Sequence, residues 1–322
     1  MNRVLWIPAS LALAAALAGC GNEDKSRPVT EAEDIPGVTS PADRTGLVEY
    51  ALVKTFATGL EKLNGIALDA SGRIYAAGLP GVAVMDNDGN AVTRWRTPEE
   101  ALCIATAPDG KVLIGLKTKV LTCDGTGAKL ASWGTAGNGP GELGYVTGIA
   151  VTDENVFVAD SMNRCVHRFT ASGSFINEIG RRDDGAKFLG LIASSPYIDC
   201  FVDSKGKLVV NNPGQSRVET YEPDGKLLSW WGTYGLNADK FSGCCNPVRI
   251  APAPEGNVLT SEKGIPRVKV YSRDGKMLAF IGPKFFTREA AGLDVAADSR
   301  GRIYVSDPGD RKIRVFAPKA AE

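Results

Sequence analysis

The sequence contains an internal repeat, marked by turn residues that recur through most of its length. Glycine or asparagine follows a polar residue at intervals of 38 to 51 residues, at positions 72, 110, 155, 206, 256 and 301. A second series trails the first by 17 to 19 residues, at glycines 89, 127, 173, 225 and 275. Periods of this length are typical of stacked repeats with several strands in each unit.

Each repeat contains four short apolar or alternating patterns that are typical of strands. A strand such as "GIALD" or "GIAVT" precedes the first turn, and "RIYAA" or "NVFVA" follows it. A polar loop, a third strand such as "RVKVYS", the second turn and a fourth strand such as "KMLAFIG" complete the unit. Four strands repeated six times predict an all-β fold, a six-bladed β-propeller, which leaves only short and protected sheet edges.

The repeat also predicts how the ring closes. The sixth unit stops after "IRVFAP" and lacks a fourth strand, while a further strand, residues 47–57, precedes the first unit. We expect this strand to pair with residues 313–316 and to complete the last blade. An open solenoid would leave the strand without a partner. The propeller domain is therefore predicted to span residues 47–318, followed by a short tail, residues 319–322.

The third unit, "GNGPGELGYVTGIAVTDENVFVADSMNRCVHRFTASGSFINEIG", resembles an NHL repeat. The resemblance lies in the glycine-rich approach, the "GIAV" strand, the "VFVADSMNR" segment and the closing glycine, and similar units extend over residues 58–318. The first two units depart from the pattern, because "AAGLPG" and "IGLKTK" lack the Asp-x-x-Asn-Arg loop. The resemblance implies four-stranded NHL-type blades, and roles in binding more often than in catalysis.

The N-terminal segment resembles a bacterial lipoprotein signal. A mostly apolar run from Val4 to Ala18, too short to span a bilayer, is followed by Gly and Cys20 in "LAGC". The resemblance implies a signal peptide over residues 1–19 and a lipidated Cys20 at the mature N-terminus. Residues 20–46 are polar and contain few large apolar side chains, so they are predicted to form a flexible tether.

The predicted location is the cell envelope, with the protein attached to a membrane by its lipid. Gly21, rather than aspartate, follows the lipidated cysteine. By resemblance to Gram-negative lipoproteins, this implies the periplasmic side of the outer membrane if the host is Gram-negative. Lys and Arg together number 37, as do Asp and Glu, so there is no basic surplus to bind nucleic acid. The single histidine argues against a histidine-rich metal site, and no cofactor is predicted.

One row of side chains is predicted to line the axis of the propeller. When the six first strands are aligned on their turn glycines, blades four, five and six carry Asp199, Arg249 and Asp294 at the same height. These groups form either a structural bridge between neighbouring blades or a polar pocket at the mouth of the channel. Two carboxylates near the axis also suit calcium, as in propeller lactonases, but Arg249 between them would oppose a divalent cation.

In a propeller, the loops that lead into first strands and the loops between second and third strands lie on one face, here called the top face. These loops supply further candidates for binding. Glu262 and Lys263, in "SEKGIPR", depart from the repeat pattern, and functional groups are often carried by loops on a rigid scaffold. Tyr145, Tyr197 and Tyr234 lie near the loops that lead into first strands, where aromatic rings would supply contact area. We expect a binding surface on this top face.

The loop "SGCCNPVRI" places two adjacent cysteines, Cys244 and Cys245, and then Asn246 on the predicted top face. Adjacent Cα atoms lie about 3.8 Å apart, closer than the roughly 4.4–6.8 Å of relaxed disulfides. In an oxidising compartment we expect a vicinal disulfide, formed through a twisted or cis peptide bond. The alternatives are two packed thiols and a thiolate pair that chelates a soft metal.

The sequence therefore predicts a lipid-anchored propeller that binds an envelope protein or a small-molecule ligand on its top face. Two alternatives stay open on the sequence alone. One is a propeller hydrolase similar to lactonases, and the other is a redox accessory protein that uses Cys244 and Cys245. Fold alone does not choose among them, because different functional sites share one scaffold.

Replacement of Cys20 by serine tests the lipid anchor. We expect Cys20→Ser to move the protein from the membrane fraction to the soluble fraction, because the variant cannot receive the acyl chains that hold it. Fractionation followed by immunoblotting measures this, and Cys244→Ser is the matched control that stays in the membrane fraction. A Cys20→Ser protein that remains membrane-bound would contradict the prediction.

Overall fold

The computed structural model describes residues 46–181, 190–193, 195–288 and 290–319. These residues form six four-stranded antiparallel sheets arranged in a ring, which confirms the predicted all-β, six-bladed propeller. The signal segment with Cys20, the tether up to residue 45 and the last three residues lie outside the described residues. No helix among those described is long and apolar enough to cross a membrane.

The blades follow one another along the chain, and hydrogen bonds join the four strands of each blade in sequence order in blades one to five. The strands up to the third blade are β1 (Tyr50–Ala57); in blade one, β2 (Lys62–Leu68), β3 (Ile74–Leu79), β4 (Gly81–Met85) and β5 (Ala91–Arg96); in blade two, β6 (Cys103–Thr106), β7 (Val112–Gly115), β8 (Val120–Cys123) and β9 (Lys129–Trp133); a short parallel pair, β10 (Thr135–Ala136) and β11 (Glu142–Leu143); and in blade three, β12 (Val146–Val151), β13 (Asn155–Asp160), β14 (Cys165–Thr170) and β15 (Phe175–Ile179).

The second half of the ring contains the remaining strands and three single turns of 3₁₀ helix, each of which begins with proline. Blade four comprises β16 (Cys200–Val202), β17 (Leu208–Asn212), β18 (Arg217–Tyr221) and β19 (Leu227–Trp231); blade five comprises β20 (Arg249–Ala253), β21 (Asn257–Glu262), β22 (Arg267–Tyr271) and β23 (Met277–Ile281); blade six includes β24 (Asp294–Ala297), β25 (Ile303–Asp307) and β26 (Lys312–Pro318); and the 3₁₀ turns are Pro213–Gln215, Pro254–Gly256 and Pro283–Phe285.

The N-terminal strand β1 lies in the sixth blade. It pairs antiparallel with β26, with Leu52 opposite Phe316 and Phe56 opposite Ile313. The sheet order is therefore β1–β26–β25–β24. The sixth blade takes its outer strand from the start of the domain and its other three strands from the end.

Six apolar layers, one between each pair of neighbouring blades, form the core. The layer between blades six and one packs Tyr304 and Ile313 against Ile66 and Ile74. Burying one such side chain completely contributes roughly 1.5–3 kcal/mol. Since the apolar side chains are divided among these layers, the axis of the ring is left to the first strands and their polar groups.

Aspartates fix several of the turns that mark the repeat. Asp69 Oδ1 accepts hydrogen bonds from the backbone N–H groups of Ser71 and Arg73, at 2.8 and 3.0 Å. Asp203 accepts the equivalent bonds from Lys205 and Lys207 in blade four. A side chain that bonds to its own turn stabilises the reversal of the chain, which explains why the turn signal recurs so regularly in the sequence.

Blades three to six share a buried polar pair that joins the end of the second strand to the middle of the third. In blade three, Asp160 Oδ2 lies 3.5 Å from His167 Nε2. The equivalent third-strand positions in blades one and two hold Ala83 and Leu121, so the pair is absent from the first two blades. The four pairs are Asp160–His167, Asn212–Glu219, Glu262–Lys269 and Asp307–Arg314.

Four of the five turn glycines in the second series, all except Gly225, lie against an aromatic side chain of the preceding blade. Gly127 has a φ of +92°, and a Cβ atom there would lie 2.5 Å from the ring of Trp95 in β5. Gly275 meets Trp231 in β19 in the same way, with a nearest distance of 2.8 Å. Two constraints therefore require glycine at these turns: the positive φ, and the aromatic ring that leaves no space for a Cβ atom.

Two alanine substitutions in blade two separate these requirements. Gly110 also has a positive φ, +83°, but a Cβ atom there would meet nothing within 4 Å. We expect Gly110→Ala to lower the free energy of unfolding by ~1–2 kcal/mol from backbone strain alone. Gly127→Ala should cost a further ~1–3 kcal/mol because the ring of Trp95 has to move. Urea denaturation measures both, and equal losses would show that the ring does not constrain Gly127.

Candidate functional site

A cavity of about 410 Å³ opens at the axis on the top face, the face with the loops that lead into first strands. Its volume lies within the range of about 300–1,000 Å³ that is typical of sites for small molecules. Its polar lining comprises Asn64, Tyr145, Thr147, Tyr197, Arg249 and Arg311, contributed by five of the six blades. The ring of blades thus brings together side chains that are far apart in the sequence.

Two tyrosines form the aromatic part of the lining. Tyr145 and Tyr197 are half-buried, and burial raises the pKa of both phenols, with the charge of Glu100 adding to the effect on Tyr145. Both hydroxyls therefore stay protonated near neutral pH and are able to donate hydrogen bonds. Lys263 Nζ lies 5.0 Å from the centroid of the Tyr197 ring, so Lys263 is adjacent to the cavity across that ring.

Arg249 forms the floor of the cavity. Its side chain is buried, and Nη1 donates a hydrogen bond to the backbone oxygen of Thr147 in blade three. Its Nε is also buried, and it has no hydrogen-bond partner among the described residues. The same side chain lines a second cavity, of about 260 Å³, inside the channel. Arg249 therefore stands between the top cavity and the rest of the channel.

Asp199 and Asp294 line the channel cavity and connect neighbouring blades. Asp199 Oδ2 accepts a hydrogen bond from the backbone N–H of Ile250 at 3.2 Å, and Asp294 Oδ2 accepts one from Ile66 at 2.7 Å. Within the described residues, the two carboxylates act on Arg249 through their charge and not through a direct ion pair. Each aspartate therefore joins its own blade to the backbone of the next one.

The ionisation of Asp199 and Asp294 depends on their burial. Burial raises the pKa of Asp199 to about 7. The positive charge of Arg249 lowers this pKa, and the negative charge of Asp294 raises it further. Burial also raises the pKa of Asp294, although Arg249 opposes it. Near neutral pH, Asp199 is therefore partly protonated, and both carboxylates act on the charge of Arg249.

The structure corrects the prediction that Glu262 binds a ligand. Its side chain is completely buried, and Oε2 accepts hydrogen bonds from Arg267 Nη2 at 2.9 Å and from the backbone N–H of Ser242 at 3.0 Å. Burial alone would raise its pKa, but the cations of Lys269 and Arg267 lower it. The physical reason is its position at the end of β21, where it supplies the carboxylate of the buried polar pair.

The two adjacent cysteines are separate thiols, which corrects the prediction of a vicinal disulfide. Cys244 is exposed, whereas Cys245 is buried and has a φ of 67°. The cis peptide bonds in the described residues precede Pro80 and Pro247, so the bond between the cysteines is trans.

Asn246 holds the cysteine loop in place. Its side chain is completely buried, and Nδ2 donates hydrogen bonds to the backbone oxygens of Ser242 at 2.6 Å and Lys263 at 3.0 Å. Its Oδ1 accepts a bond from the backbone N–H of Lys263 at 2.9 Å. Asn246 is thus a structural residue, and neither it nor the two cysteines line the top cavity.

Sequence reasoning did not assign two polar residues of the cavity to binding: it missed Asn64 and interpreted Arg311 as structural. Asn64 occupies a position that holds Leu102 in blade two and Thr147 in blade three, so no repeated pattern marks it. Arg311 belongs to a loop between second and third strands, and the position of that loop on the top face was the signal that could have identified it. Tyr234, in contrast, is 62% exposed and does not line the cavity.

Comparisons with known proteins support the fold. No protein-family model matches the chain, and no curated protein matches it in sequence. Among solved structures, a gluconolactonase from Xanthomonas campestris has a TM-score of 0.63 at 15% identity, covering 88% of this chain and 94% of its own. A protein of unknown function from Bacteroides thetaiotaomicron has a TM-score of 0.58 at 16% identity, covering 84% and 72%.

A third similar structure is the virginiamycin B lyase of Staphylococcus aureus. It has a TM-score of 0.56 at 13% identity and covers 85% of this chain and 90% of its own. The same lyase has a catalytically inactive histidine-to-alanine variant, solved with quinupristin. At these identities the similarity defines the class of fold, a six-bladed propeller, and leaves the function to the site.

Replacement of Asp199 by asparagine tests the electrostatics of the floor. A carboxyl whose pKa rises to about 7 on folding binds its proton more tightly in the folded state, so the stability it confers falls as pH rises from about 4 to about 7. Asparagine does not titrate. Relative to wild type, the free energy of unfolding of Asp199→Asn should therefore increase over that interval, by at most roughly 4 kcal/mol.

Urea denaturation at about pH 5 and about pH 8 measures this difference between the variant and the wild type. The control is Asp109→Asn, since Lys111 lowers the pKa of the exposed Asp109 carboxyl, which is already ionised at both values. A difference between Asp199→Asn and wild type that does not change with pH would show that Asp199 is ionised throughout.

Proposed function

We propose that this protein is a lipid-anchored, NHL-type propeller of the bacterial cell envelope that binds a small organic anion in its top-face cavity. The "LAGC" segment ending at Cys20 supports the anchor, and the blade patterns support a scaffold for binding. The observation that carries the proposed ligand is the guanidinium group of Arg249, which is buried at the floor of the cavity with Nε unpartnered.

An incompletely bonded, buried guanidinium group favours an anionic ligand. A buried charge is costly unless it is paired and hydrogen-bonded. Asp199 and Asp294 act on Arg249 through their charge, but neither carboxylate supplies an acceptor for its Nε. A carboxylate or phosphate in the cavity would supply the missing acceptor, since the forked geometry of guanidinium matches both groups.

The rest of the lining indicates the shape of the ligand. Tyr145 and Tyr197 offer apolar ring faces together with hydroxyl donors. Arg311 is exposed at the rim and adds a second positive charge, while Asn64 adds a polar contact. A compact molecule with one anionic group and a flat apolar portion would use all of these contacts. A protein partner could use the same cavity by inserting an acidic side chain or a terminal carboxylate.

A second candidate function, favoured by the fold of the gluconolactonase and the lyase, is catalysis with a metal at the axis. Arg249 lies in the channel with Asp199 and Asp294, and its charge opposes a divalent cation there. The inactive lyase variant lacks a histidine, whereas the single histidine of this chain, His167, is completely buried in β14. Both features favour binding over catalysis. Calcium-dependent lactone hydrolysis that Asp294→Asn abolishes would reverse this preference.

Binding of simple carboxylates tests the proposed ligand class. We expect benzoate and related carboxylates to raise the melting temperature of the purified protein in a thermal-shift assay, and the matching amides and amines to have no effect. Arg249→Met should weaken carboxylate binding by roughly 10- to 100-fold, which corresponds to the loss of one charged hydrogen bond. Arg311→Met, at the exposed rim, should weaken it less.

Arg300→Met is the matched control, because Arg300 is an exposed arginine in the turn between β24 and β25, outside the cavity. It should bind carboxylates as the wild type does. If Arg249→Met does not fold, Arg311→Met still tests the cavity. Unchanged binding in both cavity variants, or no carboxylate binding by the wild type, would overturn the proposal. Native mass spectrometry after incubation with envelope extract then identifies the natural ligand.

A further inference from the structure

Asn64 is a polar side chain at a first-strand position that is apolar in most of the other blades. The equivalent residues in blades two to six are Leu102, Thr147, Ile198, Val248 and Leu293. Asn64 is half-buried and lines the top cavity. A partly buried amide is costly unless its polar atoms are bonded, so the partners of Asn64 indicate what the residue does.

Hydrogen bonds fix the orientation of the Asn64 amide. Its Nδ2 donates to Glu100 Oε1 at 2.8 Å and to the backbone oxygen of Ala101 at 2.9 Å. A carboxylate and a carbonyl oxygen only accept, and the two bonds use both protons of the amide nitrogen. A flipped amide would place Oδ1 against these two oxygens, so the network determines which end of the amide is nitrogen.

The carbonyl oxygen of Asn64 remains available to a ligand. Within the described residues, nothing donates a hydrogen bond to Asn64 Oδ1, and this atom is not one of the fully buried atoms without a partner. Since Asn64 lines the top cavity, a molecule there is able to donate to Oδ1. The cavity therefore lacks an acceptor at Arg249 Nε and a donor at Asn64 Oδ1.

Tyr145 indicates that these two groups lie close enough together for one ligand. Burial raises the pKa of the Tyr145 phenol, the charge of Glu100 raises it further, and the charge of Arg249 lowers it. Charges shift a pKa in this way only at short range. Tyr145 is therefore near both the Glu100–Asn64 contact and the Arg249 guanidinium group. A cavity of about 410 Å³ suits one compact molecule that reaches both.

We propose that the ligand of the top cavity is a hydroxycarboxylate, whose carboxylate bonds to Arg249 and whose hydroxyl group donates a hydrogen bond to Asn64 Oδ1. This inference rests on the proposed function and specifies the class of organic anion. Asn64 is the specificity-determining residue. Glu100 is a positioning residue, because it acts through the Asn64 amide and not on the ligand.

The charges around the cavity favour a neutral hydroxyl group over an ammonium group as the donor. Arg249 and Arg311 line the cavity, and both repel an ammonium group. The nearby carboxylate of Glu100 is already paired with Lys62, whose Nζ lies 3.0 Å from Oε2. An amino acid should therefore bind more weakly than a hydroxy acid of the same shape.

Four carboxylates of similar shape test the hydroxyl contact: phenylacetate, mandelate, α-methoxyphenylacetate and phenylglycine. Their binding to the purified full-length protein is measured by isothermal titration calorimetry, with both enantiomers of each chiral compound. We expect the better mandelate enantiomer to bind roughly 3- to 10-fold more tightly than phenylacetate, the gain expected from one hydrogen bond. The methoxy compound has no proton to donate and should lose this gain. Phenylglycine, with its ammonium group, should bind more weakly than mandelate.

Replacement of Asn64 by leucine, the residue at this position in blade two, assigns the gain to Asn64. In Asn64→Leu, the ratio of the phenylacetate Kd to the mandelate Kd should fall to about one. Glu100→Ala should lower the ratio in part, because the Asn64 amide is then free to rotate. The matched control is Asn237→Leu, since Asn237 is exposed and does not line the cavity. It should keep the wild-type ratio.

The outcomes separate this inference from the proposed function. If the carboxylates bind without preference for mandelate, or if Asn64→Leu keeps the preference, the hydroxyl contact is wrong while the anion site stands. Tighter binding of phenylglycine than of mandelate would also overturn it. If none of the four compounds binds, the proposed function fails and this inference fails with it. Should Asn64→Leu not fold, the comparison of mandelate with its methoxy analogue on the wild type decides the outcome.

Discussion

The apolar layers between blades are the interaction on which the whole structure depends. Each blade is a sheet with two apolar faces, and each face has to be covered by another blade. Six blades satisfy this requirement only as a closed ring, in which Ile66 and Ile74 of the first blade pack against Tyr304 and Ile313 of the last. The pairing of β1 with β26 completes the sheet that makes this last contact. The ring then determines where every loop, cavity and polar group lies.

Polar groups that are buried inside the ring need hydrogen-bond or ion-pair partners there, and most of them have one. Asp199 and Asp294 bond to backbone N–H groups of neighbouring blades, and Glu262 is enclosed by two cations. Against that background, the buried Nε of Arg249 is one of six buried side-chain atoms among the described residues that have no hydrogen-bond partner. Buried polar atoms without partners are few in native proteins, so each one is a reason to look for a ligand. Arg249 Nε is the one that lies in the lining of the top cavity, and the proposed anion site rests on it.

The sequence predicted the fold because the turn signals are local and regular: aspartates such as Asp69 bond to their own turns wherever they occur. The alignment of first strands also located Arg249, since position in a strand determines which side chains reach the axis. The loops were less predictable. Glu262 looked like an exposed loop residue, but it ends a strand and is buried by Arg267 and Lys269. The buried polar pairs could have been found by aligning third strands. That Cys244 and Cys245 are separate thiols depends on backbone angles that the sequence does not encode locally.

The direction of β1 determines on which face the chain enters the propeller. Tyr50 lies beside Pro318 at the start of β1, and its hydroxyl donates a hydrogen bond to the backbone oxygen of Gly301, in a turn on the side opposite the top cavity. The chain therefore enters the propeller from below. The cavity above Arg249 opens on the opposite face. Because Arg249 separates that cavity from the channel, a ligand would enter and leave it through the top face.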